Sequence, residues 1–108
     1  MLPKGGLGKM MKQAQELQSK MARAQEEISS IEVEANSGGG LVVVKANGNK
    51  VITDIKINPE LLKEDIDFME DLILAAINQA LEKASEAAKE KMNDVTGGML
   101  NKFNLPGM

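Results

Sequence analysis

The basic side chains near the start of the chain are the clearest candidates for binding chemistry. Residues 1–25 hold five of them against a single acid, Glu16. The five bases are Lys4, Lys9, Lys12, Lys20 and Arg23. Residues 26–72 hold four bases and eleven acids, so the net charge of −3 conceals a basic arm on an acidic body. Cations repeated along one segment could contact the phosphates of a polyanion.

The order of charges in this first segment is unfavourable for a helix. Lys4, Lys9 and Lys12 come first, and Glu26 and Glu27 come last. The helix dipole favours acids at the amino end and bases at the carboxyl end. A second predicted helix, further along the chain, has the favourable order. The amino-terminal lysines therefore suit a polyanion partner, although a merely solvated helix face and a membrane-surface helix remain alternatives.

The residue types that usually perform catalysis are missing. The chain has no His, Cys, Tyr or Trp, which removes imidazole acid–base chemistry, thiol nucleophiles and soft metal ligands. Asp65, Asp67 and Asp71 could attract Mg²⁺, but compensation of a helix dipole explains them better. We therefore expect no enzyme, metal, cofactor or small-molecule substrate.

No apolar run approaches the length of a membrane span, which requires about 18 residues or more. The first residues are also unlike a signal peptide, because Lys9, Lys12 and Glu16 interrupt any apolar segment. We expect a cytoplasmic protein that does not enter a membrane.

Apolar residues in the first segment recur at alternating steps of three and four, which predicts a helix over residues 8–30. They form one seam: Leu7, Met10, Ala14, Leu17, Met21, Ala24 and Ile28. Gln, Lys, Ser and Glu flank this narrow seam, so the helix should meet a partner helix along one edge. Residues 1–7 are expected to form a flexible basic start.

Residues 31–57 have the composition of three strands. Asn47-Gly48-Asn49 is a hairpin signal between two β-rich runs, and Gly38 to Gly40 form another turn. In the last run, strict alternation would place Val51, Thr53, Ile55 and Ile57 on one face. We predict an antiparallel meander with one face on a core.

A capping turn over residues 58–64 and a long helix over 65–95 follow, and residues 96–108 are expected to be a mobile tail. The whole chain, 1–108, is thus predicted to be a single α+β domain. Its three-stranded antiparallel meander lies between two long helices.

One copy of such a domain would leave apolar surface uncovered. The second helix would be about 42 Å long, whereas three strands span only about 14 Å in width. A homodimer that joins two sheets and pairs helices would cover this surface. A monomeric helical hairpin packed on a small sheet is the alternative.

Three separated stretches resemble the YbaB/EbfC family of bacterial nucleoid-associated proteins. They are GGLGKMMKQAQELQSKMARAQEEI, SGGGLVVVKANGNKVITDIKINPELL and EDLILAAINQALEKASEAAKEKM. The resemblance covers nearly the whole chain in order. It implies an α-β-β-β-α protomer and an intertwined homodimer with projecting helices.

The resemblance also implies binding of double-stranded DNA and an influence on chromosome organisation and gene expression in the nucleoid. Family DNA binding is attributed to both long helices, which adds Lys89 and Lys91 to the amino-terminal bases. The interface would then hold Lys4, Lys9, Lys12, Lys20, Arg23, Lys89 and Lys91. A coiled-coil scaffold that docks other proteins without contacting DNA is the alternative function.

Overall fold

Two long helices flank a three-stranded sheet in the computed structural model, which describes residues 4–97, excepting the side chains of Lys4 and Thr96. The elements are α1 (Lys4–Ser30), β1 (Glu32–Ser37), β2 (Val42–Asn47), β3 (Ile52–Ile57), a short 3-10 helix (Pro59–Lys63) and α2 (Ile66–Thr96). This order confirms the predicted α-β-β-β-α protomer and its α+β class.

Helix α1 begins at Lys4, four residues before the predicted start at residue 8. Three glycines lie in or beside the added residues: Gly5, Gly6 and Gly8. Each glycine costs a helix only about 0.5–1 kcal/mol, and the run of Lys, Met and Gln that follows favours helix. Residues 1–3 of the predicted flexible start and 98–108 of the predicted tail lie outside the described residues.

The sheet is an antiparallel meander in the order β1-β2-β3, as predicted. Glu32 and Glu34 of β1 are exposed, whereas Ala35 and Ser37 are buried. This alternation arises because successive side chains of a strand point to opposite faces. The central strand β2 buries every second residue, namely Val42, Val44 and Ala46.

The predicted alternation along β3 is wrong in its first half. Lys45 pairs with Asp54 but Ala46 pairs with Ile52, so an irregularity in the register leaves Thr53 without a partner in β2. An extra residue of this kind reverses the face of the residues before it. Ile52 therefore shares the core face with Ala46, and Thr53 is exposed.

The second half of β3 keeps the predicted face. Ile55 pairs with Val44 and Ile57 pairs with Val42, which places both isoleucines on the core face of the sheet. They nevertheless remain 43% and 41% exposed. Helix α2 lies mainly over β1 and β2, so it leaves this edge of the sheet uncovered.

Small residues on α2 allow it to approach the sheet closely. Ala76, Ala80 and Ala84 are fully buried in the same cluster as Val42 and Val44. A hydrogen bond of 2.6 Å from the Ser37 hydroxyl to the Leu72 carbonyl fastens the end of β1 to α2. Helix α2 and strands β1 and β2 thus supply most of the hydrophobic core, with Leu61 of the 3-10 helix also buried in it.

Side-chain caps define the ends of the carboxyl-terminal elements. The Asn58 side chain accepts a hydrogen bond from the Glu60 amide, ahead of the 3-10 helix. The Asp65 carboxylate accepts one from the Phe68 amide at the start of α2. Gly97 ends α2 in the left-handed conformation, with φ of 62°. These are the expected residue types for helix caps.

Only the carboxyl-terminal part of α1 packs against the rest of the chain. Ala24 and Ile28 of the predicted seam are buried, whereas Leu7, Met10 and Met21 are exposed. The Cα radius of gyration is 20.7 Å, compared with about 13 Å for a compact domain of this length. The amino-terminal half of α1 is therefore a projecting rod.

Candidate nucleic-acid interface

Four of the predicted binding residues lie along one face of α1. A helix turns by about 100° per residue, which places Lys9, Lys12, Lys20 and Arg23 within an arc of about 80°. The group extends along roughly 21 Å of the helix axis. We call these four residues the basic stripe.

The cations of the basic stripe are accessible and unpaired. All four side chains are exposed. The ion pairs among residues 4–97 involve other bases: Lys45 with Glu32 at 3.3 Å, Lys63 with Glu60 at 3.5 Å and Lys91 with Glu27 at 3.1 Å. Within this part of the chain, no carboxylate forms an ion pair with the stripe.

The basic stripe and the apolar seam occupy different sides of α1. The seam is centred about 120° away from the stripe around the helix. Ala14 is exposed and Leu17 partly exposed on the seam, as are Met10 and Met21. The seam can thus be covered by another apolar surface while the cations stay exposed.

One acid interrupts the basic stripe. Glu16 falls at the middle of the arc, four residues after Lys12 and four before Lys20. Neighbours at this spacing can form ion pairs on a helix surface. The described residues show no such pair for Glu16, so its carboxylate faces the same solvent as the cations and weakens their attraction for phosphate.

The remaining predicted cations do not join the stripe. The Lys91 ammonium is paired with Glu27 and therefore links α2 to α1. Lys89 is exposed but lines a groove on another side of the molecule, together with Lys50. The side chain of Lys4 lies outside the described part of the structure. The described members of the predicted binding set therefore lie in three places: four in the basic stripe, Lys91 in an ion pair between the helices, and Lys89 in the groove.

Lys50 was not among the predicted binding residues. It follows the Asn47-Gly48-Asn49 turn at the tip of the β2–β3 hairpin. Its backbone φ is positive, at 63°. Among the described residues other than glycine, no other residue has a positive φ. The sequence does indicate Lys50 as a candidate, because a charged residue directly after an Asn-Gly-Asn turn is exposed at a hairpin tip.

The stripe offers hydrogen-bond donors and positive charge but no general base or nucleophile. Lysine ammonium groups bind phosphates as point charges, and arginine can also bind two acceptors at once. Arg23 is the chain's one arginine.

Within residues 4–97, neither helix has a stretch that is apolar and long enough to cross a membrane.

Comparison with solved structures finds the same fold in a bacterial protein. The uncharacterized protein HP0035 from Helicobacter pylori superposes with a TM-score of 0.60 and 26% sequence identity. The match covers 68% of this chain and 87% of that one.

Comparison with protein families gives a match over almost the entire chain. The sequence model of the YbaB/EbfC DNA-binding family matches residues 4–99. This range includes both long helices, the sheet and the whole basic stripe, and it confirms the resemblance carried by the three quoted stretches. The chain belongs to the YbaB/EbfC DNA-binding family.

Proposed function

We propose that the protein is a nucleoid-associated homodimer that grips duplex DNA, mainly through phosphate contacts from the basic stripes of its two copies. It acts in the bacterial cytoplasm, where it influences chromosome organisation and gene expression. Its membership of a DNA-binding family supports the choice of partner.

The basic stripe is the observation that carries this proposal. Four exposed cations without an ion pair among the described residues follow one face of a projecting helix. The acids that make the net charge negative lie mostly in residues 26–72, away from the rod. Positive charge arranged in this way attracts a phosphate backbone and releases its counterions.

Phosphate contacts imply limited sequence preference. Direct readout of bases uses Arg, Asn, Gln or Lys placed in a groove, with bidentate arginine the commonest contact to guanine. The stripe contains a single arginine, Arg23, and three flexible lysines. Stacking on bases is also disfavoured, since the aromatic residues are limited to Phe68 and Phe103.

The uncovered edge of the sheet supports a dimer. Strand β3 pairs with β2 on one side, and among the described strands its other side has no partner. Ile55 and Ile57 expose apolar surface there, and exposed strand edges readily pair with another chain. A second copy would present the same edge and the same isoleucines, as a two-fold interface requires.

An apolar depression on α1 would be covered in the same assembly. It has a volume of about 440 Å³ and is lined by Ala14, Leu17, Gln18, Met21, Ala22 and Gln25. Ala14, Leu17 and Met21 belong to the predicted seam. Packing against a helix of the second copy would bury these three side chains and leave the basic stripe free on the other side of α1.

Binding of a fluorescent 20-base-pair duplex to variants tests the proposal. Neutralising the stripe with Lys9→Gln, Lys12→Gln, Lys20→Gln and Arg23→Gln should weaken binding by a factor of about 100 or more at low salt. The matched control changes four lysines of the body to Gln: Lys45, Lys56, Lys63 and Lys83. The control alters the net charge equally, so equal losses in both variants would reject the stripe as the interface.

The apolar depression on α1 also favours the second candidate, a coiled-coil scaffold that docks another protein without direct DNA contact. Such a scaffold should retain a protein partner at high salt, where phosphate contacts are weakened. Met11→Asp with Met21→Asp should release that partner without unfolding the domain. Recovery of nucleic acid alone would exclude the scaffold.

A further inference from the structure

An open groove with a mainly apolar lining, to which Ile28, Ala88 and Met92 contribute, lies where the carboxyl-terminal half of α1, the β2–β3 hairpin and α2 meet. Its volume is about 390 Å³. Two lysines, a serine and two side-chain amides supply its polar lining: Lys50, Lys89, Ser85, Gln25 and Asn49. None of the described residues that line it is acidic. We infer that this hairpin groove is a phosphate-binding site, separate from the basic stripe.

Four donor groups in the hairpin groove have no partner within residues 4–97. Lys50 and Lys89 form no ion pair there. The Ser85 hydroxyl and the Gln25 amide form no hydrogen bond, whereas the hydroxyls of Ser29 and Ser30 donate to carbonyls four residues earlier. A helix serine usually satisfies itself in that way. Two cations, a hydroxyl and an amide that line the groove are thus available to an anion.

The hairpin tip that carries Lys50 is fixed against α1. Gly48 is buried against the carbonyl of Ile28, where a Cβ atom would have no room. The Asn49 side-chain amide donates to the Ser29 hydroxyl at 2.9 Å, and that hydroxyl donates to the Gln25 carbonyl at 3.0 Å. The groove is therefore formed before any ligand binds.

The backbone at Lys50 has a conformation that lysine disfavours. Its φ of 63° lies in the left-handed region, where Gly and Asn are the preferred residues. The Asn47 side chain holds the turn by accepting from the amides of Asn49 at 2.9 Å and Val51 at 3.2 Å. The turn thus holds Lys50 in a disfavoured backbone conformation at a position where its side chain lines the groove.

Acids near the groove are compensated only in part. Glu27 of α1 is paired with Lys91 at 3.1 Å. Glu26 of α1 and Glu86 and Glu90 of α2 are exposed and form no ion pair within residues 4–97, so they weaken the attraction of Lys50 and Lys89 for an anion.

The groove is distinct from the stripe because Gln25 points about 180° away from the stripe's centre around α1. Its volume falls within the range of small-ligand sites, about 300–1,000 Å³. The phosphate could belong to a second stretch of DNA backbone or to a free compound such as a nucleotide. Both sources offer the same chemistry, and binding experiments distinguish them.

Amide NMR spectra of the full-length protein test this inference. The probes are inorganic phosphate, ADP and a 12-base-pair duplex, each compared with NaCl at equal ionic strength. We expect saturable shifts of the Gly48, Asn49 and Lys50 amides with at least one phosphate probe. Shifts with the duplex alone assign the phosphate to DNA, and shifts with the free anions assign it to a small molecule. No saturable shift with any probe would overturn the inference.

The variant Lys50→Asn with Lys89→Gln removes both cations of the groove. Asparagine tolerates the left-handed conformation, so the hairpin should stay folded. The control Lys56→Gln with Lys63→Gln removes the same charge elsewhere. We expect at least a tenfold loss of affinity for the effective probe in the groove variant and less than a twofold loss in the control. Equal affinity in the groove variant and the wild type would overturn the site.

The test also separates this inference from the proposed function. Loss of duplex binding in the stripe variant, with phosphate shifts retained in the groove, supports both. A wild-type protein that binds no duplex but gives saturable shifts with phosphate contradicts the proposed function alone. Duplex binding without a response of the groove to any of the three probes contradicts this inference alone.

Discussion

The Glu27 carboxylate lies 3.1 Å from the Lys91 ammonium, and this ion pair joins the carboxyl-terminal parts of α1 and α2. Both side chains are more than one-third exposed, at 42% and 37%, so the pair should contribute only about 0.5 kcal/mol. Lys91→Gln should lower the free energy of unfolding by that amount and change DNA affinity by less than twofold. Urea denaturation and duplex titration measure the two quantities.

A double-mutant cycle with Glu27→Gln isolates the contribution of the ion pair. If Lys91→Gln instead weakened DNA binding as much as Lys12→Gln while stability was unchanged, Lys91 would belong to the interface.

Replacement of Gly48 by any larger residue is expected to destabilise the fold for a steric reason. A Cβ at this position would collide with the Ile28 carbonyl and side chain. Gly48→Ala should therefore lower the free energy of unfolding by about 2 kcal/mol, a typical cost of overpacking. Urea denaturation at fixed protein concentration measures this change.

Gly8→Ala is the matched control, because nothing lies within 4 Å of a Cβ there. Alanine favours helix, so this change should stabilise the protein by about 0.5–1 kcal/mol. Similar effects of the two substitutions would show that the hairpin does not press against α1.

Glu16 should oppose DNA binding from within the basic stripe. Glu16→Gln removes a like charge near phosphate, which corresponds to about 1 kcal/mol in water at close range. Affinity for a duplex should rise roughly fivefold at low salt, and the gain should shrink as salt is added. Fluorescence anisotropy measures the change, with Glu82→Gln on α2 as the control. A gain from the control but none from Glu16→Gln would place the DNA elsewhere.

The isoleucines of β3 should govern dimer formation. Ile55→Asp with Ile57→Asp places charge on the uncovered core face, where burial of an unpaired carboxylate is costly. Sedimentation analysis should show a monomer at concentrations where the wild type is a dimer, with weaker DNA binding. Lys56→Asp, on the opposite face of the same strand, should leave the dimer intact. A dimeric double variant would exclude this edge as the interface.

The element order was predictable because local patterns agreed with the tertiary fold. Leu17, Met21, Ala24 and Ile28 recur at helical spacing, and the Asn-Gly-Asn turn separates two β-rich runs. The start of α1 at Lys4 was not predictable, because a glycine lowers the stability of a helix only slightly. The face of Ile52 was missed as well, since the irregularity at Thr53 depends on pairing with β2 and leaves no mark in a single strand.

The candidate site was only partly predictable. Helical spacing is sufficient to place Lys9, Lys12, Lys20 and Arg23 on one side of α1. The separation of Lys89 from Lys91 was not visible, because Lys91 meets Glu27 through packing between distant segments. The groove residues likewise come from three elements that only the fold brings together.

The salt dependence of duplex binding tests the central claim most directly. If about six amino-terminal cations of a dimer contact phosphates, the slope of log affinity against log salt concentration should be about −5. The variant with the four stripe residues changed to Gln should give a slope near −1 or shallower, and the body-lysine control should keep the wild-type slope. A stripe variant with the wild-type slope would contradict the account.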